Sequence, residues 1–130
     1  MKAVSEYGSE NIMYTQLSGS SGNILGFKII DYTTPDDVRE ISRIMSEAIA
    51  EWRKIRLLVE IEGFRHMERE DLLEKLRFAV DHEPEIERMA VLSNRTWIKA
   101  WVKVGGLLSN TEMEHFDRNE MEAAWEWIRS

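Results

Sequence analysis

With 130 residues, 43% of them hydrophobic, the chain has the length of one domain and enough apolar side chains for a core, well above the range of disordered tracts. Its net charge of −7 sets it against nucleic acid, whose binding needs Lys and Arg to neutralise phosphates, and against anionic lipid surfaces. The lack of cysteine excludes disulfides, thiolate metal sites and cysteine nucleophiles, and no apolar run approaches the roughly 20 residues of a membrane span.

Met1-Lys2-Ala3-Val4-Ser5-Glu6 lacks the hydrophobic segment of a secretory signal, so the expected location is cytoplasmic. Residues 1–10 are polar and aperiodic, which predicts a flexible arm ahead of one domain over 11–130. Ile12 to Leu17 reads as a first strand. Ser18-Gly19-Ser20-Ser21-Gly22-Asn23 reads as a turn, and Ile24 to Ile30 as a second strand antiparallel to the first. Gly26 within it suggests a bulge or a close backbone approach. Thr34-Pro35-Asp36-Asp37 is a helix start: Thr34 can cap, Pro35 suits the first helical position, and two carboxylates meet the positive end of the dipole. Val38, Ile41, Ile44, Met45, Ala48, Ile49 and Trp52 then recur at the spacing of one buried helical face.

Ile55-Arg56-Leu57-Leu58-Val59-Glu60-Ile61 is almost continuously apolar, the pattern of a strand covered on both sides. A helix follows with Leu72, Leu73, Leu76, Ala79 and Val80 inward, ending before His82-Glu83-Pro84; a turn carries Ile86, and Met89 to Leu92 forms the next strand. Ser93 or Asn94 is expected to cap a third helix facing Trp97, Ile98, Trp101, Val102 and Val104 inward, with Gly105-Gly106 as its stop. Met113 to Phe116 reads as a short strand. Asp117-Arg118-Asn119-Glu120 is a variant capping box opening a last helix with Met121, Ala124, Trp125 and Ile128 inward. Trp127 falls off that stripe and suggests an exposed dimer surface. The order β-β-α-β-α-β-α-β-α predicts a layered α/β fold. It has a mixed five-stranded sheet, an N-terminal hairpin, later strands made parallel by right-handed crossovers, and four main helices.

Three stretches resemble the SpoIIAA-like family of small bacterial and archaeal proteins. They are Ser21-Gly22-Asn23-Ile24-Leu25-Gly26-Phe27; Lys54 to Ile61 with Gly63-Phe64; and Glu87-Arg88-Met89-Ala90-Val91-Leu92 leading to Trp97, Trp101, Lys103 and Glu114-His115-Phe116. The similarity spans residues 12–129. It implies the STAS type of fold, named for sulfate transporters and anti-sigma factor antagonists, and kinship with the CRAL-TRIO lipid-carrier fold. Anti-sigma antagonists carry a phosphorylatable serine after the central strand. Here Gly63-Phe64-Arg65-His66-Met67-Glu68-Arg69-Glu70-Asp71 holds no hydroxyl, so that switch has no acceptor.

Among groups that could carry chemistry, Ser18-Gly19-Ser20-Ser21-Gly22 lacks the Lys-Ser/Thr ending of a phosphate loop and precedes a strand, so a hairpin turn is the better reading. His66, His82 and His115 have no paired spacing, and no metal or cofactor is expected. Glu60 and Glu62 share a strand face, but acidic pairs arise by chance in a chain with 24 acidic residues, so no catalytic residue is assigned. Trp97 and Trp101, four apart, share a face of a helix that starts at the end of a strand, where ligands bind in open α/β sheets. Phe64, His66, Ser93, Trp97 and Trp101 are therefore the expected ligand-binding residues, against the plainer reading that both tryptophans complete the core. The expected function is a non-enzymatic STAS-like interaction or regulatory module with a protein partner, or with itself as a homodimer. The alternative is a carrier or sensor of a small apolar or amphipathic, lipid-like molecule.

Overall fold

The inner strands form where branched or aromatic apolar residues crowd together, and the helices where apolar residues recur every three or four positions. A computed structural model describes residues 14–16, 22–30, 35–63 and 83–130. In chain order the elements are β1 (Tyr14–Gln16), β2 (Ile24–Ile30), α1 (Pro35–Trp52), β3 (Ile55–Glu62), β4 (Ile86–Leu92), α2 (Thr96–Leu108), β5 (Glu112–Phe116) and α3 (Met121–Arg129). One turn of 3₁₀ helix, Glu83–Glu85, leads into β4, and another, Arg118–Glu120, leads into α3. The expected arm over 1–10, the expected helix bearing Leu72 to Val80, and Phe64 and His66 lie outside the described residues.

Strands β2 to β5 are parallel and stand side by side in chain order, and β1 runs antiparallel along β2 with Tyr14 opposite Ile29. Helices α1 and α2 share one face. Ile41 and Met45 from α1, and Ile98 and Val102 from α2, close over Leu25, Phe27, Ile29, Leu57, Val59, Ile61, Met89 and Val91. Helix α3 covers the opposite face, with Ala124 and Ile128 on Leu58, Ala90 and Leu92. The middle strand β3 is therefore buried from Leu57 to Ile61, as its unbroken apolar run predicts. Arg53, with φ 70°, turns the chain from α1 into β3 within two residues.

Several local expectations are corrected. The ladder runs regularly through Gly26, opposite Leu58. The irregularity lies in β4, where Ile86 faces Ile55 and Arg88 faces Arg56, so that Glu87 is passed over. Strand β4 accordingly begins at Ile86, three residues before Met89. Gly105-Gly106 does not stop α2, which runs on to Leu108. The glycines instead let the helix approach β5: a Cβ on Gly105 would stand 3.3 Å from the Met113 sulfur, and one on Gly106 would stand 3.5 Å from the Met113 Cβ. With Ile98, Val102 and the glycines turned inward, Val104 is left exposed. Trp52 is also exposed, at the last turn of α1, where its ring lies over the Gly22 turn. Trp127 is not an exposed aromatic. It packs on the α3 side of the core, 6.1 Å from the Phe116 ring.

Candidate functional site

The expected site lies where the parallel strands end. Ser93, directly after β4, is fully buried, and its hydrogen bonds shape the local backbone. Its N–H donates to the Phe116 carbonyl at 3.0 Å, and its hydroxyl oxygen accepts from the Arg95 N–H at 3.0 Å. Its carbonyl bonds the His115 ring through Nε2 at 2.7 Å. Arg95 is the residue that flanks the first turn of α2, in extended conformation, rather than Ser93 or Asn94. Its Nε donates to the Gly63 carbonyl at 3.2 Å, tying the entry of α2 to the end of β3. Trp97 and Trp101 stand on α2 beside this loop, half-buried against the main core. The structure thus brings Ser93, Trp97 and Trp101 to one corner of the fold.

A second cluster occupies the other face of the same strand ends. Glu60, Glu62 and Lys28 alternate with the core residues of β2 and β3, so they point to the side on which α3 lies. Arg118, from the turn before α3, donates through Nε and Nη2 to one Glu60 oxygen at 3.1 and 3.0 Å, and through Nη2 to Glu62 at 3.2 Å. Lys28 pairs with Glu62 at 2.9 Å. The Lys28 hydrogen bond, reinforced by the charges of Lys28 and Arg118, holds the Glu62 carboxyl below its ordinary pKa against the opposing pull of partial burial. Asn94 fixes the turn itself, its side-chain oxygen accepting from the Arg118 N–H at 3.0 Å. Sequence reasoning identifies the two glutamates but misses Arg118, which stands 58 residues from Glu60 inside what reads as a helix cap. Among the described residues no three His, Asp or Glu side chains converge as a metal site would require.

The chain that folds this way, with parallel strands β2 to β5, α1 and α2 on one face and α3 on the other, matches the SpoIIAA-like family model over residues 24–129. The chain belongs to the SpoIIAA-like family. Its fold is similar to the crystal structure of an uncharacterized protein of the DUF3478 family, with a SpoIIAA-like fold, from Shewanella loihica PV-4. The two share 18% identity with a TM-score of 0.64, over 88% of this chain and 93% of that one. No curated protein matches the chain. No described helix of this SpoIIAA-like domain is long and apolar enough to cross a membrane. Chemically, the two clusters at its strand ends do different things. The Ser93 loop spends its polar atoms on backbone geometry, and the Arg118 cluster neutralises carboxylates that the sheet would otherwise leave half-buried and alone.

Proposed function

We propose that this SpoIIAA-like chain works as a non-enzymatic, STAS-like interaction or regulatory module, acting through protein contacts in the cytoplasm, with a partner or as a homodimer. One observation supports this reading above others. Glu60 and Glu62, the carboxylates best placed at the strand ends to act as acid and base, are held by Arg118 and Lys28, and Glu62 is kept ionised. A general acid or base working near neutrality needs the opposite shift. The stretch from Gly63 to Asp71 has no hydroxyl to phosphorylate, so contact itself must carry the signal. In this reading the domain has the five-stranded, four-helix STAS order.

A second reading makes the domain a carrier of a small apolar or amphipathic molecule, in keeping with CRAL-TRIO kinship. The half-buried Trp97 and Trp101 beside Ser93 favour it; Phe64 and His66, the other residues of this reading, lie outside the described residues. Native mass spectrometry of the purified full chain separates the two. The module reading expects bare protein, as monomer or dimer, and a Trp97→Ala variant destabilised by about 3 kcal/mol because the ring is core. A co-purified passenger that Trp97→Ala removes without lowering the melting temperature would establish the carrier instead.

A further inference from the structure

We propose that the outward face of α2 is the docking surface of this module, and that its partner is an acidic amphipathic helix. The inference rests on the protein-contact reading above and adds where the contact is made and with what. Helix α2 lies in an outer layer of the fold, yet it is apolar nearly all round, which is the composition of a helix covered on both sides. Its inner stripe, Ile98 and Val102, is buried on the sheet. Its outer stripe is Ala100, Val104 and Leu107, spaced four and three apart like one seam of a helix pair. Val104 is 54% exposed and Leu107 is 86% exposed, and with Trp52 they are the large hydrophobic residues most open to water among the described residues. A leucine and a valine one turn apart on a solvent face mark an anchor row for a second helix.

Charge selects the partner. Among the described helices, α1 carries five carboxylates against two arginines, and α3 carries two against one, whereas α2 carries Lys99 and Lys103 and no acidic residue. Both lysines are exposed, flank the apolar row, and make no ion pair among the described residues. A basic edge beside an exposed apolar row, on a chain of net charge −7, is complementary to leucine-type anchors flanked by carboxylates. A second copy of the chain fits less well, because Asp36, Glu40 and Glu47 on α1 are already engaged by Arg39 and Arg43. Two lysines are too few to hold a chain of this net charge on anionic lipid.

The test uses the full chain and a synthetic helical peptide with leucines spaced four and three apart and glutamates beside them, against the same peptide carrying lysines instead. Binding is followed by fluorescence anisotropy at low salt. The acidic peptide should bind about tenfold or more tighter than the basic one, and Leu107→Glu should weaken it by about tenfold or more. Lys103→Glu should weaken it by about threefold, an effect that fades in high salt. Melting temperatures of both variants should match the parent, since neither side chain is buried. Equal affinity for the two peptides, indifference to Leu107→Glu, co-sedimentation with phosphatidylserine vesicles in their place, or a dimer that Leu107→Glu dissociates would each overturn the proposal. Discovery of a passenger in the native mass spectrum would remove the parent reading. Bare protein with no preference for the acidic peptide would remove only this one.

Discussion

The Arg88 guanidinium lies over the Trp127 ring, its central carbon 5.1 Å from the ring centre, and donates through Nη1 to the Trp127 carbonyl oxygen at 2.8 Å. The same nitrogen reaches the Ser130 hydroxyl at 2.8 Å, and Arg56 donates through Nη1 to the Ile128 carbonyl at 2.9 Å. The last carbonyls of a helix lack partners within it and form its negative end, so two arginines on the sheet serve α3 both as hydrogen-bond donors and as countercharges. Arg88→Ala should therefore destabilise the protein by about 1–3 kcal/mol. Hydrogen exchange should accelerate first in Met121 to Arg129 and only later in β3. Uniform acceleration across the sheet would show that α3 is not held separately by this contact.

Arg118 is the sole cation within ion-pair reach of Glu60 among the described residues, and the Glu60 side chain is only 11% exposed. Replacing Arg118 with methionine keeps the bulk and strands the carboxylate, at a cost of about 1–3 kcal/mol. Glu60→Gln retains a hydrogen-bond acceptor and should cost less. Urea denaturation of both variants measures the order. A larger loss from Glu60→Gln would mean that Arg118, rather than Glu60, depends on the pair.

Glu62 gives the fold an acid-side dependence. Its pKa in the folded state is lowered from 4.5, chiefly by the Lys28 hydrogen bond, so the unfolded chain takes up a proton first as the pH falls. The contribution is fully present above 4.5 and fades as the pH drops from there through the lower folded value. Thermal melts between neutral pH and pH about 3 should show a shallower acid decline in Glu62→Gln and in Lys28→Met than in the parent. Parallel declines in all three proteins would discard the assignment.

The two glycines of α2 should respond differently to alanine. Helix interiors favour Ala over Gly by about 1 kcal/mol, provided that the new methyl has room. At Gly106 the methyl would stand 3.5 Å from the Met113 Cβ, an ordinary contact, so Gly106→Ala should raise stability by about 0.5–1 kcal/mol. At Gly105 it would stand 3.3 Å from the Met113 sulfur, which must yield by a few tenths of an ångström, so the gain should shrink. Melting curves of the two variants decide it, and destabilisation by Gly106→Ala would show that the helix cannot keep its place against β5.

Elements whose identity rests on local composition were legible in the sequence. Strand β2 has the predicted limits, and β3 extends one residue beyond its predicted run, because both are apolar stretches bounded by breaking residues. Strand β4 reads short in the sequence because Glu87 and Arg88 interrupt its apolar run, and nothing in the sequence shows that Arg56 and Glu112 wait across the sheet to pair with them. The glycine pair reads as a stop because its use depends on Met113, a contact made only in the folded molecule. Ser93 and the two tryptophans could be placed together from element order alone. The Arg118–Glu60 pair could not, since residues far apart in the chain carry no mark of being partners. Trp127 reads as exposed for a similar reason: the arginine and phenylalanine that cover it come from β4 and β5.

Strands β2 to β5 line up in the order in which they are made, and among the described elements only the final helix shields the far side of β3 and β4. A chain that folds as it is made assembles its sheet and first helical layer progressively, while Leu58, Ala90 and Leu92 stay wet until Met121–Arg129 has emerged. Until that helix docks, the α3 side of the sheet is the vulnerable side of the folding chain.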